Sequence, residues 1–279
     1  MSDRKKKILI NIILIFILAA LGVLAYFAIH FKWFEDGAKR SSLNDSASST
    51  DNSVFPEAHF EENEASNSTV ESFPDLVPDY IGEDIVIISE NRPNFTMYGL
   101  EHISGEIYSE LDSLGRCGSA IAMLDYSMMP TEKRGDIGDI KPSGWKQEKY
   151  PGIVNSDPPY LYNRCHLIAY MFTGQNANPK NLITGTRYFN SELMLKYENQ
   201  VADYLYDSEH PHLDGTFDHV LYRVTPYFKG DESVARGVEM EALSVEDNGK
   251  SLCFHVFIYN VQPGIEIDYK TGESRVADK

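Results

Sequence analysis

Residues 160–198 read YLYNRCHLIAYMFTGQNANPKNLITGTRYFNSELMLKYE, and the interpretation of the whole chain turns on them. His166 ends a Tyr/Leu-rich, strand-like stretch and stands two residues after Arg164. Asn176, Asn178, Pro179 and Asn181 form an Asn-rich loop, because Asn and Pro favour turn geometry. A short apolar segment follows, Asn181–Gly185. Thr186 is expected to cap a helix starting at Arg187, which puts Asn190 in the first turn. The local outline is strand or loop, strand, helix, with a histidine on the first part and an asparagine on the last.

These residue types can hydrolyse a phosphodiester. A histidine of near-neutral pKa can take a proton from water. A hard cation such as Mg²⁺ needs oxygen ligands, and an asparagine side chain offers one. Such a cation would neutralise charge on the phosphate and the departing oxygen. Arg164 is placed to add a bidentate phosphate contact. The same residues also admit a plain reading, a core histidine with turn asparagines, and spacing alone does not separate the two.

Outward from this stretch the chain is α+β. Ile85–Ser89 (IVIIS) and Ser119–Tyr126 (SAIAMLDY) read as strands. Ile107, Leu111 and Leu114 recur at helical spacing, so a helix is expected over Ser104–Leu114. Met129–Trp145 is loop-like, punctuated by Pro130, Gly135, Gly138, Pro142 and Gly144. Val220–Phe228, Val238–Val245, Leu252–Val261 and Ile265–Tyr269 read as strands of an antiparallel sheet, with a turn at Asn248-Gly249. No internal repeat is visible.

The N-terminal region differs in kind. Residues 8–29 form an apolar run broken only by Asn11, and as a helix it would span about 33 Å. Arg4, Lys5, Lys6 and Lys7 precede it, so residues 1–7 are expected to be cytoplasmic and residues 8–31 a transmembrane anchor with the catalytic domain extracellular. A cleaved signal peptide would have a shorter apolar region, which makes secretion after cleavage the alternative. Residues 32–77, rich in Ser, Asn, Asp and Glu, read as a flexible acidic linker, and 78–279 as the folded domain.

The formal net charge is −17. Residues 1–77 hold 7 basic and 11 acidic residues, so 18 and 31 of the chain's 25 and 42 fall in 78–279. The folded domain is itself acidic, so binding to a phosphate polymer demands a local basic groove and a cation. Cys117, Cys165 and Cys253 show no C-x-x-C spacing, which argues against a zinc site. One disulfide with a free thiol and three free thiols fit equally.

The central stretch resembles the DNA/RNA non-specific endonuclease family of the ββα-metal fold. The family's Asp-Arg-Gly-His signature, whose histidine is the general base, stands here as Asn163-Arg164-Cys165-His166. Its next asparagine matches Asn181, its metal-binding asparagine Asn190, and the glutamate that organises the metal's water shell Glu198. The NRCHLI, TGTRYFN, KPSGW and NVQPGIEIDYKTGES segments resemble streptococcal-type secreted or membrane-anchored members, over roughly residues 110–274. The resemblance implies a ββα core on an antiparallel sheet and non-specific cutting of DNA, with RNA as a further substrate. It also implies Mg²⁺, with Mn²⁺ able to substitute, and 5′-phosphate products. His166, Arg164, Asn181 and Glu198 are the catalytic set it implies, with Asn190 on the metal.

The departures at Asn163 and Cys165 motivate a second class, a surface DNA-binding or uptake protein with weak catalysis; an adhesin on a stalk is a third. Eight residues of straight helix place Glu198 about 12 Å along the axis from Asn190. Glu198 is therefore expected to act from outside the metal's own ligands, against the alternative of a surface glutamate paired with lysine. Lys133 and Arg134 are candidate phosphate contacts or simply solvated loop charges. Arg187 reads either way, and His210-x-His212 reads as a solvated loop.

Overall fold

The computed structural model describes residues 79–95, 103–208, 211–212 and 215–278. The expected tail, anchor and linker, residues 1–77, lie outside the described residues. Among the described residues no helix is long and apolar enough to cross a membrane.

Strands alternate with turns as the sequence suggests. β1 is Ile85–Ile87, β2 Gly105–Tyr108, β3 Ala120–Leu124, β6 Val220–Tyr227, β7 Gly237–Ser244 and β8 Cys253–Tyr259. They form one antiparallel six-stranded sheet in the order β1-β8-β7-β6-β3-β2. β4 (Tyr162–His166) pairs antiparallel with β5 (Leu182–Thr186) as a separate ribbon, and β9 (Ile265–Ile267) pairs with β10 (Ser274–Val276). The one-turn helix α1 is Tyr170–Thr173. After β5 the chain passes through a π-helical turn, Phe189–Met194, into α2, Leu195–Asp207.

One expectation fails. Ser104–Leu114 is not a helix: its first half is β2, on the sheet's edge, and its second half is a turn. Asp112 accepts the N–H groups of Leu114 and Arg116, each at 2.9 Å, a local bonding pattern that competes with the helical ladder. The spaced apolar residues have no core to face, and Ile107, Leu111 and Leu114 are exposed. The Asn248-Gly249 turn is present, and both residues take left-handed φ values, 55° and 78°. All three cysteines are free thiols.

The core lies between one face of the sheet and the ribbon-plus-helix unit. Alternation along β6, β7 and β8 turns Tyr222, Val224, Met240, Ala242, Phe254 and Val256 toward Ile168, Phe172, Phe189, Leu193 and Val201. A smaller cluster of Val154, Leu161, Tyr162 and Ile265 supports the outer end of β4, with Trp145 packed against it.

One side chain joins ribbon and sheet. Asn260, fully buried just after β8, accepts the Thr186 N–H at 2.9 Å. Its amide donates to the carbonyls of Thr184 and Ala235, both at 3.0 Å. Truncation would orphan three buried backbone groups, each costing about 1–3 kcal/mol. Asn260→Ala is expected to lose at least about 3 kcal/mol of unfolding free energy in urea titration, with any nuclease activity falling at temperatures where the variant is still folded.

Candidate active site

β4 ends on His166, which is 6 % exposed. Its ring is held at both nitrogens. Nε2 lies 2.9 Å from the Asn176 carbonyl, so this nitrogen carries the hydrogen and donates it. Nδ1 is thereby left as the acceptor, and it faces the Arg134 guanidinium at 3.3 Å. Directly behind, the buried Asn181 accepts the backbone N–H groups of Leu167 and Ile168 at 3.1 and 2.8 Å and donates to the Ile168 carbonyl at 3.0 Å. This clasp fixes the chain as it leaves the histidine.

β5 delivers the helix. Thr186 caps it as the sequence suggests, its hydroxyl accepting the Phe189 N–H at 3.0 Å while donating to the Val261 carbonyl. Asn190 therefore sits in the first turn, at the surface of a cleft, and its side chain has no hydrogen-bond partner among the described residues. The turn from Phe189 to Met194 is π-helical and the helix then runs on without a break, so Glu198 is not carried back to Asn190 by a kink. Glu198 shares the inward face with Val201, Ala202 and Leu205 and is 9 % exposed. The alternative of a solvated glutamate paired with lysine is thereby overturned.

The cleft has a volume of about 420 Å³, and Arg134, Arg164 and Arg187 line it with Asp157 as the one acid. The local basic groove demanded by the acidic chain is present. Asn163, Asn190, Trp145 and Tyr160 also face it. Arg164 is largely spoken for: Nε donates to the Ile140 carbonyl, Nη2 to that of Gly138 at 2.6 Å, and the guanidinium stacks on Trp145 at 4.3 Å. It braces the 138–140 loop as much as it faces solvent. Lys133 is exposed beside Arg134 but does not line the cleft.

Burial moves two groups in opposite senses. Desolvation, aided by the Arg134 charge, lowers the His166 pKa to about 4, so the imidazole is neutral at pH 7. Desolvation raises Glu198 to about 8, with only the Arg134 charge opposing it. Glu198 makes no hydrogen bond to any described residue. The unpaired Asn190 oxygen in the cleft suits a hard divalent cation, whose water shell the deeper Glu198 carboxylate would orient. Cys165, buried against Gly185, belongs to the core and not to that set.

Sequence reading did not single out the Asn176 carbonyl, Trp145 as the stacking partner of Arg164, or Asn260. Backbone acceptors and distant packing partners leave no local motif. It also gave no weight to a second compact cluster, Glu239, Glu241 and His255. Strand alternation puts these on the sheet face opposite the core. There His255 Nε2 meets Glu239 at 2.5 Å, Nδ1 donates to the Arg92 carbonyl, and Arg223 pairs with Glu241. Two acids face Arg223 and a histidine whose burial would lower its pKa but whose bond to Glu239 and proximity to Glu241 raise it, which makes a charge-balanced lock.

Comparison with known proteins agrees with this geometry. NucA of Streptococcus agalactiae with a magnesium ion bound is similar at 26 % identity and a TM-score of 0.58, over 69 % of this chain and 87 % of that one. The Sda1 nuclease with a bound zinc ion shares the fold, with a TM-score of 0.54 at 24 % identity over 70 % of this chain and 97 % of that one. The sequence profile described as DNA/RNA non-specific endonuclease matches residues 96–246, more than half of the chain. The chain belongs to the DNA/RNA non-specific endonuclease family.

Proposed function

We propose that this nuclease is a divalent-metal-dependent endonuclease that cuts DNA or RNA without sequence preference, with His166 as general base. The observation that carries the reading is the ring of His166: Nε2 is tied to a carbonyl, and Nδ1 is a neutral acceptor next to the cleft that Arg134 and Asn190 line. Water entering between Nδ1 and a bound phosphate displaces Arg134, whose guanidinium is then free to pair with the phosphate oxygens. Nδ1 takes the water proton as oxygen attacks phosphorus, the P–O3′ bond breaks, the departing 3′ oxygen takes a proton from solvent water, and His166 returns its own to solvent; the products are a 5′-phosphate and a 3′-hydroxyl. Asn190 would hold the cation, and Glu198 would orient the cation's water shell from outside the ligands themselves; Mg²⁺ suits the Asn190 oxygen and Mn²⁺ can replace it. When bound, it supplies Lewis-acid neutralisation of the phosphate and the leaving oxygen. Asn181 keeps the histidine in register, and Arg164 holds the cleft wall. Residues 8–31 are proposed to tether this domain outside the membrane, on the strength of the apolar run and its basic flank.

Arg134 lying on the base nitrogen favours a second reading, a DNA-binding or uptake protein in which catalysis is suppressed. A plasmid assay separates the two. With residues 79–279 or the full chain, supercoiled DNA in Mg²⁺ is expected to smear to short fragments, and EDTA or His166→Ala to abolish this. A gel shift of labelled DNA with no degradation, by folded protein in Mg²⁺, would move the assignment to binding.

Glu198 also sets a pH dependence. In the metal-free protein its raised pKa means that folding takes up a proton between about 4.5 and 8, so its burial costs most above that window. Glu198→Gln is expected to raise the metal-free Tm by about 5 °C or more at pH 8.5 and by little at pH 5, while lowering turnover at least ten-fold. His166 acts oppositely: its lowered pKa costs stability as pH falls from 6.5 toward 4 in both proteins, and so cancels in the comparison.

A further inference from the structure

The loop that carries Arg134 is held to the body of the domain at few points, and residues 131–136 are exposed. At its start the hydroxyl of Tyr170, on α1, donates to the Glu132 carbonyl at 2.9 Å. At its end Arg164 grips the carbonyls of Gly138 and Ile140. Between these pins, among the described residues, two hydrogen bonds tie the loop down. One joins the Arg134 guanidinium to His166 Nδ1 at 3.3 Å, and in the other Asn176 Nδ2 donates to the Asp136 carbonyl at 3.4 Å. The second bond is long, and close packing supports it. Gly135 lies so near the Asn176 amide that a Cβ there would come within 2.8 Å of Nδ2. Its φ is not left-handed, so it is space and not backbone conformation that calls for glycine.

Asn176 therefore holds two things at once. Its backbone carbonyl takes the His166 Nε2 hydrogen at 2.9 Å, and its side chain holds the loop two residues beyond Arg134. The four residues close a ring: His166 to the Asn176 carbonyl, the Asn176 amide to Asp136, the loop back to Arg134, and Arg134 to His166 again. The Asn176 Oδ1 is buried without a hydrogen-bond partner, one of two such side-chain atoms among the described residues. A buried acceptor without a donor costs stability, and one long bond from Nδ2 offsets little of it. Stability alone does not account for an asparagine at this position.

We propose that Asn176 is a positioning residue for the nuclease reaction: its side chain holds the 134–136 segment against the domain and so sets the Arg134 guanidinium beside the general base. This rests on the role given to His166 above. Asn176 touches no reacting atom. It acts through Arg134, whose reach to both Nδ1 and an incoming phosphate depends on where the loop backbone lies. A displacement of about 1 Å is enough to lose much of an interaction that depends on such placement.

The test uses the full-length protein with Asn176→Ala, Gly135→Ala, Arg134→Ala and the double variant Asn176→Ala/Arg134→Ala. Asn176→Ala removes the tether and leaves the carbonyl that holds Nε2. Gly135→Ala keeps the asparagine and drives it off the loop with a Cβ. The His166 ring is titrated by NMR in the metal-free protein, its signals assigned by their loss in His166→Ala. Burial is the larger cause of the low His166 pKa, about 4, and persists in each variant; the Arg134 charge is the other lowering cause. A guanidinium that has left the ring depresses the pKa less. It is therefore expected to rise from about 4 toward the ordinary 6.5 in Asn176→Ala and in Gly135→Ala, by no more than in Arg134→Ala. The double variant should show no further rise. On DNA, kcat/KM is expected to fall about ten-fold in Asn176→Ala, and no further when that change is added to Arg134→Ala. A His166 pKa that moves in Arg134→Ala but in neither of the other single variants would overturn the proposal. So would losses that multiply in the double variant, since Asn176 would then act apart from Arg134. An unmoved pKa in Arg134→Ala overturns it as well, by showing that the guanidinium does not lie on the base. If Asn176→Ala fails to fold, Gly135→Ala, which keeps every native hydrogen-bonding group, decides alone. Full-rate cutting by His166→Ala would instead sink the base role, while the titration still reports whether Asn176 places Arg134.

Discussion

The segment Asn260–Gln262, leaving the end of β8, is the constraint on which the site depends. The Asn260 amide binds the Thr186 N–H and the Thr184 carbonyl along one edge of β5. The Val261 carbonyl takes the Thr186 hydroxyl, and Gln262 accepts the Tyr188 N–H at 3.2 Å. Thr186 in turn caps the helix. Three consecutive residues just beyond the central sheet thus set where the helix begins, and so where Asn190 enters the cleft and where Glu198 is buried. The ribbon is paired only to itself, and without this bracket its two strands would meet the sheet through apolar packing alone. Apolar packing is non-directional and tolerates sliding; hydrogen bonds to named backbone groups do not.

The site's electrostatics follow from depth. The chain is strongly acidic, yet the cleft gathers three arginines against one aspartate. Just beneath that surface the same loss of water holds the histidine neutral and favours the protonated form of the glutamate. Arg134 touches both problems. Its charge disfavours a proton on His166 and favours ionised Glu198, so one cation on an exposed loop biases both groups toward their working states.

Much of this was legible in the sequence, and for identifiable reasons. The strands of the last third announce themselves by alternation, and the Asn-Gly turn by its need for positive φ. The order of His166, Asn181, Asn190 and Glu198 could be read because all four belong to one continuous strand–strand–helix unit, where spacing is geometry. The burial of Glu198 could not, because it is set by a sheet more than twenty residues away. Ser104–Leu114 misled because periodicity reports a helix only when a core exists to receive the stripe; there Asp112 captured the backbone first. Asn260 was invisible since it acts across the fold and sits in no motif. The arginines were visible one by one, but Lys133 and Arg134 are neighbours in sequence and only one reaches the cleft.

The π-helical turn has a consequence for how this sequence can vary. In a regular helix, residues eight apart differ by about 80° around the axis. A wide turn of i→i+5 bonds accommodates an extra residue and resets the angular phase of everything that follows. Asn190 lies inside that turn and Glu198 beyond it, so their relative bearing is stored in residue count and not in residue identity. Substitutions between Phe189 and Met194 can preserve that bearing. Loss of a single residue there would rotate the whole of α2 by a quarter turn or more against the sheet. It would withdraw Val201 and Leu205 from the core together with Glu198. Length, in this short stretch, is the more stringent inheritance.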